Sequence, residues 1–265
     1  MSTATLSRTA PAHPAAPAAR ALVNTRYIKV ELRRVARNRR SLIFGLVMPV
    51  AFLLIFGASS DYRTQMISEH TNVTAWITVS MALYGAMVAA VSGGASVSVE
   101  RSQGWTRHLR LTPLRPASYI LAKLVGALAL GAVSVAVTLV VGAAIHAQMT
   151  VGAWIGGALL AWLGSIVLAA FGLFMGYLLP TENIMQILGP LTALLSFAGG
   201  LFVPLTQGSV FYHIAQFTPV FGVAELVRWP LGADFSWTAL VNVVAWGAVF
   251  AAGAAWRFRR DTARV

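Results

Sequence analysis

Five histidines, eight carboxylates, twenty lysines and arginines and no cysteine make up the reactive inventory of the chain. Their spacing decides which chemistry is open to it. The histidines stand at positions 13, 70, 108, 146 and 213, scattered over tail and loops, so there is no convergent set of the kind a membrane protease or lipid transferase needs. Without cysteine, disulfides and thiolate metal sites are excluded. A phosphate-cradling loop of the form GxxxxGK followed by Ser or Thr needs a lysine before a hydroxyl residue, and the only lysines, Lys29 and Lys123, precede Val30 and Leu124. The chain therefore carries no ATP site of that type, and no catalytic residue, cofactor or metal is expected. Ion-driven carriers place carboxylates, histidines or broken polar helices at mid-membrane. Here Glu100 and Glu182 fall at the ends of apolar segments, whose interiors offer only Asn242 and scattered hydroxyls. His146 and Gln148 read as solvated residues of a short turn. If the chain moves a solute, its power comes from another chain.

The elements that position these residues are apolar. The chain has 265 residues, 57% hydrophobic and 11% charged, whereas soluble domains carry about 25% charged residues. Stretches of roughly 20 apolar residues cross a bilayer as helices, and six are expected, near Ser41–Ala58, Val73–Val99, Ser118–Gly142, Val151–Leu179, Met185–Leu205 and Trp237–Phe258. The expectation is an all-α integral membrane protein with a six-helix domain over 41–258. Residues 1–23, with Pro11, Pro14 and Pro17 among alanines, read as a disordered tail. The net charge of +12 is not a nucleic-acid footprint, because the basic residues follow topology rather than one soluble face. Eighteen of the twenty fall before the first span, in or just after the loop between the second and third, or in the tail that includes 259–265. Arg63 and Arg228 are the other two. Cytoplasmic loops collect such residues, so both termini are expected in the cytoplasm of a cell whose plasma membrane holds the chain.

Ahead of the first span, residues 24–40 form an amphipathic pattern. At roughly 100° per residue, Arg26, Lys29, Arg33, Arg37 and Arg40 share one sector, with Ile28, Leu32 and Val35 opposite. That suits a helix on the inner membrane surface, basic stripe to the headgroups and apolar stripe to the acyl boundary. A plain positive topology anchor is the alternative. Glu182 reads as a turn and helix-start residue, capped by Asn183 or Thr181. Small residues recur every four positions, as Ala122 with Gly126, Ser134 with Thr138 and Gly142, Gly152 with Gly156, and Gly172 with Gly176. Such spacing brings helix backbones close. Packing within one subunit is the expectation, with a dimer seam as the alternative.

The loop 100–116 holds the most specific run, Glu100-Arg101-Ser102-Gln103-Gly104-Trp105-Thr106-Arg107-His108-Leu109-Arg110-Leu111-Thr112-Pro113-Leu114-Arg115-Pro116. A helix docking into a cleft on a soluble partner needs apolar knobs, steering cations and punctuated ends. Trp105, Leu109 and Thr112 lie three to four residues apart, and Gly104 and Pro113 supply the ends. Glu100 has two readings: a solvated charge that stops the span, or a tie between the second span and the loop or a basic group of the interfacial helix.

This run resembles the loop of the permease subunits of type 2 ATP-binding-cassette (ABC) exporters, of the multidrug or antibiotic-efflux kind. There Glu-Arg-x-x-Gly, a leucine five residues after the glycine and Thr-Pro-Leu precede the third span. This chain has Trp105 where many members carry Thr, with the hydroxyl one position later at Thr106. A second match, Pro204, then Phe217-Thr218-Pro219, then Glu225-Leu226-Val227-Arg228, is similar to the family's external re-entrant segment, here 205–235. The resemblance implies that Glu100, Arg101, Gly104, Trp105, Thr106, Leu109 and Pro113 couple the permease to two copies of a separate ATP-binding subunit. It implies a homodimer or a pairing with a paralogous permease in the lipid bilayer, driving a hydrophobic or amphipathic substrate such as a drug, antibiotic, lipid or lipid-linked glycan outward. A non-transporting scaffold or sensor anchor is the alternative from another class.

Overall fold

The computed structural model describes residues 25–104 and 116–263. The element order is α1 (Thr25–Arg37), α2 (Arg39–Leu42), a π-helical turn (Ile43–Val47), α3 (Met48–Gly57), α4 (Ser60–Thr64), β1 (Met66–Ser68), β2 (Thr71–Asn72) and α5 (Val73–Ser102). After the loop come α6 (Pro116–Ala144), α7 (Val151–Leu178), α8 (Thr181–Ala198), α9 (Val210–Ala215), α10 (Pro219–Arg228), a 3-10 turn (Trp229–Leu231) and α11 (Trp237–Ala263). The two short strands form an antiparallel pair at the end of the bundle far from the loop. Among the described residues, four helices are long and apolar enough to cross a membrane: α5, α6, α7 and α11. Ile43–Gly57 is a shorter apolar helix.

α5 occupies the centre. Most of its residues are buried, so it is walled on nearly all sides by protein rather than lipid. The small residues explain how. A Cβ added at Gly172 of α7 would lie 2.3 Å from the Val91 carbonyl oxygen of α5, and one at Gly94 of α5 would lie 2.5 Å from the Leu173 nitrogen. The two backbones touch there, which only glycine permits. On α6, Gly142 faces Thr78 and Gly126 faces Glu31 and Val35 of α1. These small-residue rows pack helices within one subunit.

The helical run from Arg39 to Gly57 contains a local repair. Pro49 has no N–H to give to the Gly45 carbonyl four residues back, and the chain widens into a π turn at that point. Ser134 of α6 donates its hydroxyl to the stranded Gly45 oxygen at 2.5 Å. Gly85 of α5 makes room for both, since a Cβ there would meet Ser134 Oγ and the Pro49 ring.

The fifth apolar segment differs from the expected Met185–Leu205. Its helix runs Thr181–Ala198, because Gly199 and Gly200 end it, the latter with φ of +71°, and Leu201–Leu205 turn away. Pro180 rather than Thr181 or Asn183 holds the cap position, and the Thr181 hydroxyl donates instead to the Ser98 carbonyl at 2.9 Å. At the far end Asn72 caps α5. Its amide oxygen accepts from Ala75 N and Gln148 N, and its amide nitrogen donates to the Arg63 and His146 carbonyls.

Candidate functional site

The chemistry-bearing residues converge where α5 ends and α6 begins, the two stems of the loop 100–116. Glu100, in the last turn of α5, is 2% exposed. Its carboxylate accepts from Lys123 and Tyr119 of α6 and from Arg34 of α1. Lys123 also donates to Glu31 of α1 at 2.6 Å, and Arg34 lies 3.8 Å from Glu31. Two carboxylates and two cations from three helices thus form one neutral group. Buried charge is tolerated only when paired in this way. Val97, Tyr119 and Tyr177, with Tyr27 and Phe258 against them, make an apolar collar close by. Arg34 reaches the group from the surface, its side chain 48% exposed. Burial disfavours its charge, and the Glu100 and Glu31 carboxylates more than offset that, so its pKa stands above the usual arginine value.

Local structure dictates this convergence. On α1, Glu31 and Val35 lie one turn apart and both press on Gly126, where a side chain would block them at 3.2 Å. That contact turns Arg26, Lys29, Arg33 and Arg37 to the outside, where all four are exposed. Ile28 and Val35 are half-buried against the protein, and Leu32 is 36% exposed. α5 stops at Gln103 because Gly104 has φ of +72°, a left-handed conformation that closes helices when glycine follows the cap. Arg101 donates to the Tyr177 carbonyl at 3.2 Å. Trp105, Thr106, Leu109 and Pro113 lie outside the described residues.

The other candidates gather at the far end. Pro219 is buried as the first residue of α10, while Pro204 is exposed in the preceding turn. Arg228 is buried, donates to Ser80 of α5 at 3.2 Å and to the Gly200 carbonyl, and lies 4.2 Å over the Trp76 ring. Glu225, half-buried one turn earlier, is 3.8 Å away. Arg228 thus joins α10 to α5 and to the turn after α8. Among the described residues, no group of three His, Asp or Glu could hold a metal ion.

Between these ends lies a cleft of about 390 Å³. Phe44 and Met48 line one wall, Tyr84 and Val88 of α5 the floor, and Leu188 and Thr192 of α8 the other wall, with Asn38 at its mouth. No charged side chain lines it. From Tyr84 a group of aromatic rings continues towards the far end, with Tyr84 5.2 Å and Phe52 5.4 Å from Phe202, which stacks on Phe197 at 4.6 Å.

Residues 25–231 match the model of the ABC-2 type transporter family. The chain belongs to that family. A Bacillus subtilis (strain 168) protein named "Putative transport permease YvfS" is 28% identical over 227 residues, which cover 83% of this chain and 90% of the relative. This ABC-2 permease is therefore a membrane-embedded transport subunit of a family whose members usually work with a separate ATP-binding subunit.

Sequence reasoning offered Glu100 as a tie to a basic group of the interfacial helix, the place Arg34 takes, but gave no role to Glu31 or Tyr119 and counted Lys123 only as a charge just after the loop. A signal for Glu31 was present. It is the only carboxylate before Asp61, set among nine basic residues.

Proposed function

We propose that this permease crosses the membrane six times with both termini in the cytoplasm and exports a hydrophobic or amphipathic substrate. The two further crossings are the continuous helical run 39–57 and the Pro190-containing α8, together with the four long helices. Two permeases, most simply two copies of this chain, work with two copies of an ATP-binding protein. The loop 100–116 docks on that protein through Trp105 and Leu109, with Arg101, Gly104, Thr106 and Pro113 shaping the docking segment. When the ATPases close, the loop moves, and the neutral cleft beside α5 opens or empties its contents outward. The re-entrant segment, with Pro204, Pro219, Glu225 and Arg228, forms the external side of that path.

The observation that carries this reading is the ion cluster. Glu100 and Lys123 stand on the two stems of the loop, and both are bound to one helix, α1. A buried multi-helix charge group costs desolvation that well-packed apolar residues would not. A force-bearing joint accounts for its presence, because removing any one partner strands a charge and the stems therefore move together with α1. The cleft supports a substrate of apolar body and uncharged polar groups, since an unpaired charge is costly there.

The test is co-purification with the partner ATPase and ATP hydrolysis by the complex, after equal membrane insertion is confirmed. Leu109→Asp places a charge in the proposed docking contact, and Gly104→Pro forces φ near −65° where the chain has +72°. Both variants are expected to insert normally, with Leu109→Asp losing the ATPase and Gly104→Pro keeping it but hydrolysing weakly. Parent-like behaviour of both would leave the loop a topology anchor, whereas a parent that neither binds an ATPase nor supports hydrolysis would favour the scaffold reading.

A further inference from the structure

We infer that the exposed basic face of α1 binds anionic phospholipid headgroups and that this binding sets how firmly the permease drives its ATPase. The inference rests on the coupling role proposed for the loop 100–116 and adds a regulator to it. The starting point is how α1 divides its charges. Arg26, Lys29, Arg33 and Arg37 are exposed, and none has a carboxylate partner among the described residues. The one acid of the helix, Glu31, is buried on the opposite face and bound to Lys123. Four cations therefore face outward from a helix whose other face is locked into a neutral cluster.

Three observations favour a lipid surface over an acidic protein. Firstly, α1 passes into the helix starting at Arg39 through a single residue, Asn38, whose N–H donates to the Val35 carbonyl at 3.1 Å and whose carbonyl accepts from Leu42 N at 3.0 Å. The position of α1 is thereby fixed against the start of the first apolar helix. Secondly, Val35 and Glu31 press on Gly126, ten residues into α6, so α1 lies beside the apolar stretch of that helix that is long enough to cross a membrane. Thirdly, Val30 is 60% and Leu32 is 36% exposed, flanking the basic stripe. Apolar flanks around a basic stripe fit the boundary between acyl chains and headgroups. A lysine or arginine at an anionic leaflet changes partition by about five-fold per residue.

The consequence for regulation follows from the cluster. Headgroups that hold α1 against the surface also hold Glu31 and Arg34, and through them both stems of the loop. In a neutral bilayer α1 yields together with the stems, and the push of the ATPase is dissipated.

The probe is the permease–ATPase complex in nanodiscs of phosphatidylcholine alone or with phosphatidylglycerol. ATP hydrolysis is expected to rise at least three-fold with phosphatidylglycerol, and high salt should weaken the rise, since surface charge is screened. The variant with Arg26→Gln, Lys29→Gln, Arg33→Gln and Arg37→Gln should lose that rise while keeping the phosphatidylcholine rate and the bound ATPase. Should it insert poorly, the pairs Arg26→Gln with Lys29→Gln and Arg33→Gln with Arg37→Gln should each lose part of the rise. A full rise in the quadruple variant places the lipid effect elsewhere and overturns the inference. Loss of the ATPase in phosphatidylcholine shows a protein-docking face and overturns it equally. The loop reading fails separately: Leu109→Asp then retains its ATPase whatever the lipid.

Discussion

Replacing Glu100 by glutamine removes one charge from the cluster and almost nothing else. The side chain keeps its shape and an oxygen for the Tyr119 hydroxyl, but Lys123 and Arg34 lose their shared carboxylate. The group then carries a net positive charge in a buried place. Breaking a buried pair by removing one partner costs about 3–5 kcal/mol. Two features place this case at about 3 kcal/mol, the lower end of that range. Lys123 keeps Glu31 at 2.6 Å, and Arg34, with its side chain 48% exposed, can rehydrate, so its share is screened. At about 2–4 °C per kcal/mol for a chain of this size, the melting temperature should fall by roughly 6–12 °C. The assay is tryptophan fluorescence against temperature in detergent micelles. A second variant, Glu100→Gln with Arg34→Gln, restores neutrality and should recover at least half of the loss. A single variant that melts with the parent, or a double variant no better than the single, would refute the charge balance on which the reasoning stands.

Gly172→Leu should abolish the folded monomer in size-exclusion chromatography, because its side chain would enter the Val91 backbone 2.3 Å away; a normal peak would contradict the α5–α7 contact. Ser134→Ala strands the Gly45 carbonyl and should cost about 1–3 kcal/mol, seen as a lower melting temperature. Arg228→Met should raise amide hydrogen exchange in α10 while ATPase co-purification stays intact, whereas loss of the ATPase would tie the far end directly to docking. A reporter fused after Val265 should be cytoplasmic and one inserted near Thr71 external; opposite labelling at both sites would reverse the orientation.

Hydropathy made the long helices legible, since α5, α6, α7 and α11 begin within two residues of their expected starts. Apart from Lys123 near the start of α6, their interiors carry no charge, which leaves few alternatives. The end of α8 was not legible, because Leu201–Leu205 is as apolar as the helix before it, and only the left-handed Gly200 breaks the run. The family was legible through the loop motif, and the helix stop at Gly104 through backbone physics. Of the cluster, only the tie from Glu100 to the interfacial helix was legible. Lys123 reads as an ordinary flanking cation until Glu31, 92 residues earlier, is placed against it. Periodicity assigns a face within one helix, whereas pairing across three helices depends on where Gly126 lets α1 approach.

α5 spans 30 residues without a proline, about 45 Å at 1.5 Å per residue. One end is gripped by Lys123, Tyr119 and Arg34, and the other by the Asn72 bonds and by Arg228 on Ser80. Such a helix works as a shaft. It cannot shorten without breaking hydrogen bonds, so on the coupling proposed for the loop a displacement at the Glu100 end reaches the Asn72 end as tilt or twist. The neighbouring helical run 39–57 carries a π turn and Pro49, the features at which helices kink. The cleft then has one wall, Phe44 and Met48, on the run that carries the π turn and Pro49, and another, Tyr84 and Val88, on the shaft.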